Sequence, residues 1–252
     1  MTISRKICYS FFLVLFVIGC KPKELVQHFA DADVSYIRLN ENQEKNAEVE
    51  ALIAPYRAQL EKEMNVVVGS IDQDLKKAKP NSNLGNWFSD LLEDSAKEIF
   101  KDAQVDFAIQ NYGGIRLSSV PAGDITKGKI FELMPFDNTL VNVEMDMKTM
   151  QQFLDRIADY GGWPISRSVS FSIQDSAAVD IMINNEPLQD KKYYVAMPDY
   201  VANGGDSCYF LKDSKKEDSG VYVRTIVIDY LLGLQKKGMN AAIDPTERIK
   251  TK

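Results

Sequence analysis

Apolar positions recur along the chain at two spacings, near 3.6 and near 2, and the alternation between them predicts the elements. From Lys21 to about Asn46 the sequence is polar without a sustained period, the pattern of a tether. Beyond it Val49, Leu52, Ile53, Tyr56, Leu60 and Met64 fall at helical spacing, with Pro55 predicting a kink or an early break. "NVVVGS" reads as a strand. "NSNLGNWFSDLLEDSAKEIF" offers Asn or Ser as a cap and sets Leu84, Trp87, Phe88, Leu91, Leu92 and Ile99 on one helical face, the strongest helix in the chain. Val105, Phe107 and Ile109 alternate with Asp106, Ala108 and Gln110, which predicts a strand over 105–110. A short element near "DITKGKIFELM", a strand "TLVNVEMD" and a helix "MKTMQQFLDRIADY" follow. Residues 168–173 and 179–184 read as a β-hairpin, "YYVAM" as a strand and "VYVRTIVIDYLLGLQ" as a closing helix. This mixture predicts an α+β fold with helices layered over sheet.

The amino terminus changes the picture of where the domain sits. "MTISRKICYSFFLVLFVIGC" carries Arg5 and Lys6, an apolar stretch from Phe11 to Ile18, and then Gly19 and Cys20. This is the layout of a secretory signal, and "VIGC" resembles the lipobox of bacterial lipoproteins. It divides the chain into a signal peptide over 1–19, a lipidated Cys20 with a polar tether over 20–46, and a folded domain over 47–252. The expectation is a body held in water at the bacterial cell envelope by a lipid anchor in the membrane. Without Arg5 and Lys6 the chain keeps 28 basic against 36 acidic residues, a formal charge of −8, which disfavours nucleic acid as a partner. Cys8 leaves with the signal and Cys20 takes lipid, so Cys208 remains, and it reads as a small buried hydrophobe.

Catalytic chemistry is sparse. The one histidine, His28, lies in the tether. Zinc and two-metal hydrolases gather several imidazoles and carboxylates on their ions, so neither metal ligands nor catalytic residues are assigned to this chain. No phosphate-binding glycine loop of the Walker type, dinucleotide fingerprint or nucleophile elbow occurs.

Binding chemistry is richer. In "QNYGGIR" the glycines end the 105–110 strand and permit close approach of another group, and Arg116 supplies a planar charged fork for an anion. In "ELMPFDN" the ring of Phe136 sits in a turn. In "PDYVANGGDSC" Tyr200 precedes a second Gly-Gly pair and Asp206. Two rings on separate loops can clamp a flat heterocycle, a carboxylate can accept from paired sugar hydroxyls, and an arginine can hold an anionic group. Together they describe a nucleoside or nucleotide.

The order "NLGN", "IQNYGGIR", "MPFDN", "DYVANGGD" and a late "ERI" resembles the C-terminal domain of the 5'-nucleotidase family over roughly residues 50–250. The resemblance implies a layered α/β/β/α sandwich and a nucleotide-binding role. Phe136 and Tyr200 would stack the base, Asp206 would take the ribose hydroxyls, and Asn111 and Arg116 would contact the nucleotide. Gly113 and Gly114 would bring the loop close and aim Arg116. In that family a separate metallophosphatase domain holds two metal ions and performs hydrolysis, so divalent metals are expected only in a partner chain. Lys76, Lys77 and Lys79 stand near the place where relatives often have a further arginine, and Tyr200 stands where many have phenylalanine. Three roles follow: the substrate-binding half of a split 5'-nucleotidase, a self-sufficient surface nucleotide- or nucleoside-binding lipoprotein, or a structural domain with a vestigial pocket.

Overall fold

A computed structural model describes residues 45–252. The expected signal, lipidated Cys20 and nearly all of the tether lie outside the described residues. Contacts divide the chain into a unit Met1–Ala47, almost wholly outside that range, and a unit Glu48–Lys252, to which everything below refers.

Helix α1 (Ala47–Met64) runs through Pro55 and buries none of its residues. The expected break at Pro55 does not occur, because a proline removes one backbone donor while the turns on either side still close. Strand β1 (Val67–Ile71) and the short β2 (Leu75–Lys76) lead to α2 (Asn83–Ile99). Ser82 caps α2 by accepting from Gly85 N at 3.0 Å, and the predicted face, Leu84, Trp87, Phe88, Leu91 and Leu92, is buried. Then come β3 (Phe107–Ala108), β4 (Ser119–Val120), β5 (Gly123–Thr126) and α3 (Lys127–Leu133), which Thr126 caps. Strand β6 (Thr139–Met145) precedes α4 (Met147–Asp159), capped by Asp146, and β7 (Val169–Gln174) and β8 (Ala177–Ile183) form the expected hairpin. The chain finishes with β9 (Glu186–Pro187), β10 (Tyr193–Pro198), α5 (Asp199–Ala202), β11 (Lys216–Tyr222), α6 (Val223–Lys236) and β12 (Ile249–Thr251).

The fold is α+β, built of mixed sheets and helices as expected. A central sheet has the order β11-β6-β10-β3, and a second has the order β12-β7-β8-β9. The central sheet is buried on both faces. Leu140, Ala196 and Ala108 point into a core shared with α2, α3 and α6, whereas Val141, Val143, Val195 and Phe107 point into one shared with α4 and the second sheet. That burial explains a departure from the sequence pattern: all six residues of 105–110 are buried, so their alternation separates no wet face. Within that stretch the strand is confined to Phe107–Ala108, with Ile109 making a single bridge to Ile165. Strand β11 was invisible to periodicity because it is a polar edge strand, and it claims Val221 and Tyr222 from the expected closing helix.

Candidate functional site

Strand directions bring the three loops singled out by sequence to one end of the central sheet. Strand β3 pairs parallel with β10, so the loops that follow both strands leave on the same side. Strand β6 is antiparallel to β10, with Leu140 opposite Pro198, so the turn that enters β6 lies at that end too. Strand β11 ends there as well, Tyr222 facing Thr139, which delivers the first turn of α6 beneath the same rim.

A cavity of about 310 Å³ opens between these loops, lined by Asn111, Gly113, Gly114, Arg116, Phe136, Asn138, Tyr200 and Asp206. All seven residues expected from sequence line it, and Asn138, two positions beyond Phe136 in "MPFDN", is an addition. Phe136 and Tyr200 are 40% and 46% exposed, well above the usual burial of aromatic rings, and they come from different loops. Arg116 lies over the Phe136 ring, 5.8 Å from its centroid, and its guanidinium donates to Gly113 O at 3.3 Å.

The carboxylate of Asp206 is held from several sides. Asn111 Nδ2 donates to Oδ2 at 2.6 Å, and the Tyr200 hydroxyl lies 3.3 Å from Oδ1. The backbone N–H of Asp206 donates to that same hydroxyl at 3.3 Å, and Arg156 Nε donates to its carbonyl at 2.8 Å. Asp206 itself is left-handed, with φ 49°, a conformation an aspartate tolerates better than most residues.

The two glycine pairs do different work. At Gly204, φ is +97°, and a methyl on Gly205 would lie 2.4 Å from the Tyr200 ring, so this pair shapes the seat of that ring. Neither Gly113 nor Gly114 adopts a left-handed backbone. A methyl on Gly113 would meet only Asn111 Nδ2, 4.0 Å away, whereas one on Gly114 would fall 2.0 Å from Gln110 Nε2 and 2.7 Å from Asn111 Oδ1. Gly114 is thus needed by the protein's own buried amides. Gln110 Nε2 donates to Asn111 Oδ1 at 2.9 Å, which leaves Asn111 Nδ2 turned toward Asp206.

Sequence reasoning missed the supports under the loops. Arg224, on the first turn of α6, lies over the Phe131 ring at 4.2 Å and donates to Met134 O at 3.3 Å, Phe136 O at 3.4 Å and Asp137 Oδ1 at 2.5 Å. It fixes the turn that presents Phe136. Lys216 Nζ holds Ala202 O at 3.0 Å and Lys212 O at 3.1 Å on either side of the Gly204 turn. Arg248 of "ERI", which does not line the cavity, forms a buried fork with Asp90, at 2.8 and 2.7 Å, tying the end of the chain to α2.

Lysines flank Arg116 without lining the cavity. Lys77 Nζ lies 3.9 Å from the Tyr112 ring centroid and donates to Ile115 O at 2.6 Å. Burial, and then the charges of Arg116 and Lys79, push its pKa below the usual lysine value. Lys79 lies over the Tyr160 ring at 3.6 Å and donates to Tyr160 O. Cys208 is fully buried, and burial pushes its thiol up to about 12, the state of an unreactive packing residue. Among the described residues no three His, Cys, Asp or Glu side chains come together as a metal set, and no helix is long and apolar enough to cross a membrane.

Fold and cavity together define an α+β domain with a loop-built pocket at one end of its central sheet. The family model for the 5'-nucleotidase C-terminal domain matches residues 67–213. The silent protein UshA(0) of Salmonella typhimurium is 31% identical over 195 residues, 73% of this chain and 33% of that protein. The trifunctional nucleotide phosphoesterase protein YfkN of Bacillus subtilis is 28% identical over 232 residues, 82% of this chain and 15% of that protein. Among solved structures, a 5'-nucleotidase precursor from Thermus thermophilus matches with a TM-score of 0.67 at 28% identity, over 81% of this chain and 42% of that one. The chain belongs to the 5'-nucleotidase C-terminal domain family. It spans about a third of the length of the UshA proteins it matches.

Proposed function

We propose that this chain is the nucleotide- or nucleoside-binding half of a split 5'-nucleotidase, a lipoprotein tethered to the cell envelope through Cys20, with hydrolysis performed by a metallophosphatase on another polypeptide. The observation that carries the reading is the convergence of Asn111, Arg116, Phe136, Tyr200 and Asp206 on one cavity of about 310 Å³, a volume at the low end of small-molecule sites. In this reading the base lies between Phe136 and Tyr200, the sugar hydroxyls reach Asp206, and Arg116 meets the anionic end. Binding energy at such a site positions the phosphoryl group, a large share of phosphoryl-transfer catalysis but not the whole of it. Divalent metals would belong to the partner.

A second reading, capture of nucleosides without hydrolysis, is favoured by the lysines. The ammonium groups of Lys77 and Lys79 are engaged by the carbonyls of Ile115 and Tyr160 and by tyrosine rings, which leaves Arg116 as the cation lining the cavity.

Calorimetry of the full chain with adenosine, AMP and UDP-glucose tests both readings, followed by a phosphate-release assay with manganese on the same sample. Binding without release, converted to release by a copurifying metallophosphatase, supports the split enzyme. Binding of nucleosides as tightly as nucleotides, with no such partner, supports capture. No binding of any of the three defeats both.

A further inference from the structure

We infer that helix α1 is the element on which the partner metallophosphatase docks: its exposed stripe of Leu52, Tyr56 and Leu60 enters an apolar groove with a basic rim on that polypeptide. The inference rests on the split-enzyme reading proposed above and adds the surface on which the two chains meet.

The state of α1 carries the argument. It runs for 18 residues and buries none of them, whereas every other α-helix among the described residues buries at least two. Leu52, Tyr56 and Leu60 are 69%, 73% and 55% exposed, and their spacing of four sets them on one face. A helix in a protein draws most of its stability from packing an apolar face, and Pro55 takes one backbone bond from this one. A groove that covers the stripe supplies the missing packing and makes the three side chains the anchors of a helix-in-groove contact. Glu48, Glu50, Glu61 and Glu63 outnumber Arg57 and Lys62 along the helix, which suits a basic rim and opposes an anionic bilayer surface.

The position of α1 names the occupant. The match to the C-terminal domain begins at residue 67, just beyond the end of α1, so the rest of a longer relative joins this domain on the side of α1. The base of α1 is also joined to the pocket. Lys127 N–H donates to Val66 O at 2.8 Å, and Gly128, in the first turn of α3, lies so close that a methyl on it would fall 3.1 Å from Met64 O. At the other end of α3 the Leu133 carbonyl accepts from Arg116 N–H at 2.9 Å, and Met134 leads into the Phe136 turn. One helix of 7 residues, about 10 Å long, thus separates the base of α1 from the loops of the cavity. A phosphatase held on α1 stands beside the bound nucleotide.

The test isolates the full chain from its native membranes in mild detergent, identifies copurifying polypeptides by mass spectrometry and assays phosphate release from AMP with manganese. Tyr56→p-benzoylphenylalanine reports the contact by photocrosslinking, with the same replacement at Ala58, exposed on the opposite face, as the control. The expected result is a crosslink from position 56, and not from 58, to a polypeptide whose sequence is that of a metallophosphatase. Leu52→Gln, Tyr56→Gln and Leu60→Gln together keep good helix formers and should lower copurified release at least about tenfold. Adenosine affinity by calorimetry and the melting temperature should stay those of the wild type. A triple variant that keeps its copurified release, or a crosslink from position 56 to a second copy of this chain or to lipid, overturns the inference and leaves the split enzyme standing. A wild type that binds adenosine but copurifies with no metallophosphatase overturns the split-enzyme reading and the inference with it.

Discussion

Asn111 Nδ2 donates to Asp206 Oδ2 across 2.6 Å, although 95 positions separate the two residues in sequence. The bond joins the loop after β3 to the loop after β10 and orients the carboxylate that faces the cavity. Asn111→Ala removes the donor and leaves part of a carboxylate unpartnered, a loss of about 1–3 kcal/mol. The expected outcome is a roughly tenfold weaker nucleoside Kd by calorimetry together with a lowered melting temperature, since Asn111 is buried and bonded to both Gln110 and Asp206. Affinity equal to wild type would remove Asp206 from the ligand site.

The exposed rings give a second expectation. Base stacking on an aromatic side chain is worth about 1–3 kcal/mol, so replacing both Phe136 and Tyr200 by alanine lowers nucleotide affinity at least about tenfold. Because both rings are substantially solvent-exposed, denaturation midpoints should move little. A double variant that binds as the wild type does would show that neither ring touches the ligand.

Neighbouring glycines should respond oppositely. Gly113→Ala places a methyl in open space, and at an ordinary backbone conformation it leaves stability unchanged or slightly raised, by up to about 1 kcal/mol. Gly114→Ala drives a methyl into the Gln110 and Asn111 amides and costs about 1–3 kcal/mol, with binding weakened as Asn111 is displaced. Paired urea melts read the contrast, and equal midpoints would contradict the packing described.

Arg248 and Asp90 form a bidentate pair with side chains 3% and 11% exposed. Removing Arg248 takes the buried fork from Asp90 and leaves it the Arg167 backbone N–H at 2.8 Å and the Arg167 guanidinium at 4.0 Å, so Arg248→Ala is expected to fall at the lower end of about 3–5 kcal/mol in urea unfolding. A loss under about 1 kcal/mol would mean that solvent reaches the pair and screens it.

Cys208 supplies a pH dependence. Its thiol is pushed up to about 12 in the fold by burial, against 9.0 for an exposed thiol, so the folded state holds a proton that the unfolded chain releases. The unfolded state thus binds fewer protons between pH 9 and about 12, and stability falls with rising pH across that window. Cys208→Ala should flatten this part of the stability curve. Native protein should also resist iodoacetamide at Cys208 at pH 8 and react once unfolded, as peptide mass spectrometry would show. Prompt labelling of the native protein would refute the burial.

The sequence by itself determined most of the elements and seven of the eight residues that line the cavity. The face of α2, the Ser82 cap and the β7–β8 hairpin are local consequences of side-chain period and turn chemistry. Arg116, Phe136, Tyr200 and Asp206 were legible because aromatics and charges beside glycines and turns conflict with the needs of a core, whereas Asn111, a buried amide, came only from the family resemblance. Only the tertiary structure decided the rest. The true extent of β3 and the existence of β11 depend on which neighbours cover each face of the central sheet, and no local period encodes that. The purpose of Gly114 appears only when the Gln110 amide is seen folded against it, and that of Gly205 only when Tyr200 is. Arg224 looks like any charged residue on a helix until antiparallel pairing of β11 with β6 puts it beneath the Phe136 turn. Local chemistry chose the groups, and strand direction, a long-range property, chose which of them meet.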